Sequence, residues 1–146
     1  MDRYIEFIFN HYILVLALAV VTYLLVQEIL DSLMNKARSI SPLSAVAKMN
    51  NDEIVFIDVR EAPEFVDSHI EQAINVPLSK LKDEMTNLSQ YKDKSVVITC
   101  QNGARSASAG RHLTKAGFKK LYTLTGGMTA WEEDYKLPVI LKKIKK

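Results

Sequence analysis

The chain has 146 residues, 48% of them apolar and 25% charged, with a formal net charge of +2; that is room for one domain of ordinary size plus an appendage, and too little for two. Four of the 19 basic residues, Lys142, Lys143, Lys145 and Lys146, crowd the carboxy terminus and leave 15 basic against 17 acidic residues elsewhere. A mildly acidic body excludes a nucleic-acid-binding face, and one cysteine with three scattered histidines (His11, His69, His112) excludes an internal disulfide and a zinc-type metal site.

From Phe7 to Val26, twenty residues carry no formal charge and thirteen are Leu, Ile, Val or Phe. As a helix this run is roughly 30 Å long, the thickness of a bilayer core. At about −0.3 to −0.6 kcal/mol per such residue, insertion is favoured by several kcal/mol, enough to tolerate Asn10 and His11 near one end. A cleaved signal peptide would start basic and end on small residues, whereas this segment starts Asp2-Arg3 and leaves through Gln27-Glu28-Ile29-Leu30-Asp31. A buried soluble helix would carry a polar stripe, which Ile13 to Val21 lacks. Residues 1–30 therefore read as one transmembrane helix with its flanks, and the lipid bilayer as a partner. His11, beside Asn10 and Tyr12, reads as an interfacial anchor. Lys36, Arg38 and Lys48 follow the span and Arg3 alone precedes it, which places the body on the cytoplasmic side of the inner cell membrane.

Residues 31–38 read as a polar linker, 39–138 as the folded body and 139–146 as a basic tail. Ser41-Pro42 opens a helix, serine as N-cap and proline at the first helical position, with Leu43, Val46, Ala47 and Met49 as its apolar face and Asn50-Asn51-Asp52 as its close. Ile54-Val55-Phe56-Ile57 and Ser95 to Thr99 are apolar runs of the kind found in strands buried on both faces. Ala73 to Val76, stopped by Pro77, and Leu121 to Leu124 are two further strands. Helices are expected over Ala62–Ser68, Leu81–Leu88, Ser106–Ala116 and Met128–Tyr135, with Gly117 ending the third as a C′ glycine. Strands alternating with helices give an α/β fold, a parallel sheet covered on both faces.

In such sheets ligands sit beyond the carboxyl ends of the strands, where Cys100 falls, directly after the run Ser95–Thr99. The stretch Cys100-Gln101-Asn102-Gly103-Ala104-Arg105-Ser106 is a strand end, a short loop with one glycine and a helix start. Successive backbone N–H groups of such a loop curl around a centre, and the positive end of the following helix aims at the same point. A thiol held there ionises readily, and the thiolate is its nucleophilic form. A lone thiol that must stay reduced fits a reducing compartment. Asp58 and Arg60 read as an ion pair capping the first long strand and supporting the loop, His69 as structural, and Trp131 with Met128 as core.

Four motifs stand in order: Ile57-Asp58-Val59-Arg60-Glu61; Glu64-Phe65 with Ser68-His69-Ile70 and Ala73-Ile74-Asn75-Val76-Pro77; the Cys100 loop; and Gly126-Gly127-Met128-Thr129-Ala130-Trp131. Together they resemble the single-domain rhodanese-like sulfurtransferases, over roughly Ser39 to Pro138. The resemblance implies a doubly wound α/β domain, without cofactor or metal, whose Cys100 takes sulfur from a small donor such as thiosulfate, holds it as a persulfide and yields it to cyanide or a thiol acceptor. The backbone amides of Gln101, Asn102, Gly103, Ala104 and Arg105 would cradle the terminal sulfur. Four residues separate Cys100 from Arg105, where phosphate-handling relatives have five, so sulfur transfer is favoured over phosphatase or arsenate reductase chemistry. A membrane-tethered binding or regulatory module of the same fold is the alternative, and a membrane protein is an expected partner of either. Ser68, Gln72 and Thr125 depart from the family pattern, the first two at positions where glycine is common and the third where an acidic residue is.

Overall fold

The computed structural model describes residues 11–34, 37–51 and 54–142. Arg3, the start of the apolar run at Phe7–Asn10, Lys36 and Lys143 to Lys146 lie outside them. The chain divides into two units, residues 1–34 and 35–146. The first holds helix α1 (Tyr12–Met34), whose stretch Tyr12–Leu30 is long and apolar enough to cross a membrane by length and composition. Within it Thr22 returns its hydroxyl to the Leu18 carbonyl (2.8 Å), the i−4 bond that hides a polar group inside an apolar helix.

The second unit is built on a five-stranded, all-parallel sheet in the order β1 (Arg38–Ile40), β6 (Lys120–Leu124), β5 (Ser95–Thr99), β2 (Ile54–Asp58) and β4 (Ile74–Asn75). Strand β5 is central, and in it Val96 and Ile98 belong to one buried cluster while Val97 belongs to the other. This period of two is why the strand is apolar throughout: both faces are covered. On one face Val96, Ile98, Leu121 and Ile57 meet Ala109 and Leu113 of α5 (Ala104–Lys115) together with Leu81 and Leu88. On the other, Val97, Phe56 and Leu124 meet Ala45 of α2 (Pro42–Asn51), Met128 and Trp131. Trp131 sets its ring edge-on to Phe56 (5.9 Å) and donates its indole N–H to the Pro138 carbonyl (3.0 Å), so its one polar group is satisfied in the core.

The caps follow the sequence. Ser41 Oγ accepts the N–H of Ser44 at the start of α2 (3.3 Å). Helix α5 ends in a Schellman pair, Phe118 N–H to Leu113 O and Gly117 N–H to Thr114 O (both 3.1 Å), with Gly117 at φ +93°.

Several elements differ from expectation. Arg38, assigned to the linker, is the first residue of strand β1. The Leu81–Leu88 helix is instead a short 3₁₀ turn (Leu78–Lys80), further turns, and one helical turn α4 (Met85–Leu88), then a second 3₁₀ turn (Ser89–Tyr91). Helix α3 (Ala62–Asp67) stops where Ser68 extends, because Ser68 and His69 form strand β3, paired antiparallel with β7 (Ile140–Leu141). Two residues of the expected tail are thus in a ladder, and the Lys142 N–H adds a bond to the Asp67 carbonyl (3.1 Å). After Gly126, the last helix is a short α turn (α6, Gly127–Thr129) continued as a π turn (Ala130–Asp134).

Gln72 stands at φ +66°, a left-handed conformation that a side chain disfavours. Glycine, the residue the resemblance leads one to expect at that place, meets no such penalty. Replacing Gln72 with Gly is expected to stabilise the fold by about 0.5–1 kcal/mol, read as a rise in the urea midpoint at unchanged slope; a fall would contradict the account.

Candidate functional site

The site is assembled where β5 ends and α5 begins. Cys100 follows the last residue of β5 and is fully buried. Gly103, at φ +104°, turns the chain so that it becomes the N-cap of α5. As a glycine it brings no side chain to cap that helix; Cys100 Sγ takes the N–H of Gly103 (3.1 Å) and of Ser106 in the first turn (3.4 Å). The sulfur therefore occupies the place an N-cap oxygen would fill, at the positive end of a twelve-residue helix. Ser106 is buried, donates its hydroxyl to the Gly103 carbonyl (2.8 Å), and lies 3.5 Å from Sγ, where its oxygen accepts the thiol proton when one is present.

The amides of Gln101 to Arg105 are the set expected around the terminal sulfur of a persulfide. Around the Cys100 sulfur itself, Gly103 donates, the Ala104 N–H is taken by Asn102 Oδ1 (3.3 Å), and the second donor is Ser106, one residue beyond that set. Ser106 was missed because α5 starts at Ala104, two residues earlier than the small-residue run suggested.

Asp58 and Arg60 are brought together as expected. Both are buried, the guanidinium meets both carboxylate oxygens (Nη2 to Oδ2 2.7 Å, Nε to each oxygen 3.0 Å), and Asp58 Oδ1 also accepts the Arg60 N–H (3.0 Å). Nη2 also donates to the Ser68 carbonyl (2.6 Å) and Nη1 to Gln101 Oε1 (3.2 Å), so a buried, paired charge holds the residue that follows Cys100. Asn75 ties the same corner to β4, donating to the carbonyls of Asp58 (3.1 Å) and Arg60 (2.9 Å).

The loop is held from behind by the Gly126-Gly127 turn. The Met128 N–H donates to the Cys100 carbonyl (2.8 Å) and the Thr129 N–H to the Gln101 carbonyl (3.1 Å). Gln101 Nε2 and Thr129 Oγ1 are 3.2 Å apart.

Arg105 does not reach the sulfur; its two terminal nitrogens form a fork on Glu64 (2.6 and 2.7 Å). That bond, offset by partial burial and reinforced by the Glu61 N–H, holds the Glu64 carboxyl down at about 2 against an ordinary 4.5, so Glu64 is ionised at any working pH. Arg105 is raised chiefly by the same bond. Forty-one residues separate the partners, and no local spacing signals such a pair. His69 stacks on Phe65 (4.0 Å) and bonds its carbonyl through Nδ1 (2.8 Å), the structural place read for it.

The profile of the family described as rhodanese-like domain matches residues 41–134. Over 95 residues the chain is 33% identical to the thiosulfate sulfurtransferase GlpE of Coxiella burnetii, an overlap covering 65% of this chain and 87% of that one. Over 144 residues it is 28% identical to the protein YibN of Escherichia coli, covering 98% of this chain and all of that one. In three dimensions it is similar to a rhodanese-related protein of Thermoplasma volcanium, with a TM-score of 0.64 and 31% identity over 71% of this chain and 98% of the other.

Proposed function

The chain belongs to the rhodanese-like domain family, and on that premise we propose that it is a membrane-anchored sulfurtransferase or sulfur carrier working through a persulfide on Cys100. The observation that carries this reading is the convergence of the Gly103 and Ser106 N–H groups on one buried sulfur. Negative charge on that sulfur is solvated by the main chain itself, an arrangement that needs no side-chain base and no metal. In the first step the Cys100 thiolate attacks the outer sulfur of a sulfane donor; the donor's S–S bond breaks, its leaving group departs with the electron pair, sulfite in the case of thiosulfate, and a new S–S bond forms on Cys100. In the second step a thiol or cyanide attacks the outer sulfur of the persulfide and Cys100 leaves as thiolate. The acceptor keeps the sulfur, and no oxidant or reductant is consumed.

The main chain's role is to keep the charge placed while the sulfur changes partners. Arg60 and Asp58 keep Gln101 in place, and the Gly127 turn fixes the carbonyls of Cys100 and Gln101, so the two sulfur-facing N–H groups stay aimed throughout.

The helix Tyr12–Leu30 supports an anchor in the inner membrane, and the basic residues after it support a cytoplasmic body whose partner is a membrane-associated protein. One fractionation tests anchor and activity together. Sulfur-transfer activity is expected to sediment with the bilayer for the full chain and to move to the soluble fraction for a chain beginning at Asn35; full-chain activity in the soluble fraction would contradict the proposal.

A further inference from the structure

Two guanidinium groups lie beside the Cys100 loop, and carboxylates hold both. Arg60 is spent on Asp58, the Ser68 carbonyl and Gln101. Arg105 is the exposed one of the two, about a third accessible, and close enough to feel the Cys100 sulfur electrostatically. It is the natural group to receive an incoming anion, yet Glu64 takes both of its terminal nitrogens in a two-pronged bond. Glu64 is itself fixed at the first turn of α3, where its Oε2 also accepts the Glu61 N–H (3.1 Å). Around the mouth the exposed residues of the loop, Gln101, Asn102 and Ala104, carry no charge, and Glu61 at the start of α3 is exposed and acidic.

The geometry points to Glu64 as the positioning residue that selects the sulfur donor: by holding Arg105 it denies a cation to dianions such as thiosulfate, and leaves the site to hydropersulfides, R–S–SH, carried on a thiol. This rests on the persulfide reading above. A dianion approaching a fully buried sulfur sheds its water with both described arginines beside the loop already held by carboxylates, a cost that a neutral or singly charged donor avoids. The reaction balances: the Cys100 thiolate attacks the outer sulfur, the donor's S–S bond breaks as a new one forms on Cys100, R–S⁻ leaves with the electron pair, and the outer sulfur keeps its proton as Cys100–S–SH.

The test measures the second-order rate constant for sulfur addition to Cys100 in the full chain, at neutral pH, with thiosulfate and with cysteine hydropersulfide. The unaltered chain is expected to favour the hydropersulfide by about tenfold or more, the scale of one charge-assisted pair. Glu64→Gln keeps the oxygen that caps Glu61 but removes the carboxylate charge and the second prong that hold Arg105, releasing its Nη2; it is expected to raise the thiosulfate rate constant about tenfold and to move the hydropersulfide one less than twofold. The double variant Glu64→Gln/Arg105→Gln is expected to lose that gain. A thiosulfate preference in the unaltered chain, an unchanged donor ratio in Glu64→Gln, or a gain that survives removal of Arg105 overturns the inference and leaves the persulfide reading standing. Addition from neither donor overturns both.

Discussion

Cys100→Ser is expected to abolish sulfur transfer, with a loss on the order of 10⁴-fold or more, the scale of removing a covalent nucleophile. The substitution changes one atom at a fully buried position, and the hydroxyl finds the Gly103 N–H and the Ser106 side chain already waiting. Thermal stability should therefore stay close to that of the parent while turnover disappears, because oxygen at this position forms no persulfide. Paired melting curves and initial rates separate the two. Retained turnover in Cys100→Ser would move the chemistry to another residue.

Gly127→Ala is expected to carry the largest structural cost, about 3–5 kcal/mol, from a left-handed backbone combined with overpacking. Gly127 stands at φ +59°, and a methyl group there would collide with the Cys100 carbonyl oxygen and lie 2.7 Å and 2.8 Å from the Gln101 carbonyl oxygen and carbon. These are main-chain atoms of the sulfur loop, so relief requires moving the loop that places the sulfur. Gly117→Ala is the control: φ is +93°, yet no atom lies within 4 Å. It should cost only the backbone strain, about 1–2 kcal/mol, and leave activity near the parent's. Urea unfolding together with rate measurements reads both variants. Equal costs for the two glycines would contradict the docking of the Gly126-Gly127 turn against the loop.

What was legible in the sequence was whatever local pattern decides. Ser95–Thr99 reads as a doubly buried strand because five apolar or small residues stand in a row, and the structure gives β5 those bounds. Ser41-Pro42 and Gly117 announce helix ends through backbone chemistry that acts within one turn. Strands β1, β3 and β7, of two or three residues, leave no such trace, since period two needs a longer run to show; they exist through their partners, Tyr122 to Leu124 for β1 and Ser68-His69 with Ile140-Leu141 for the small ribbon. Leu81–Leu88 carries apolar residues at helical spacing, yet 3₁₀ and other turns bury Leu81 and Leu88 just as well.

The site divides the same way. Cys100, Gly103 and the Asp58–Arg60 pair announce themselves by residue type and position. Glu64 and Ser106 acquire their roles from the fold: one meets a guanidinium across the sheet end, and the other reaches Cys100 Sγ because the helix starts two residues early.

Intact-mass analysis of the full chain after exposure to a sulfane sulfur donor, thiosulfate or a hydropersulfide, tests the central claim most directly. The account predicts a gain of one sulfur atom per chain, mapped to the peptide holding Cys100, removed by cyanide and missing from Cys100→Ser. An unchanged mass with both donors would contradict it.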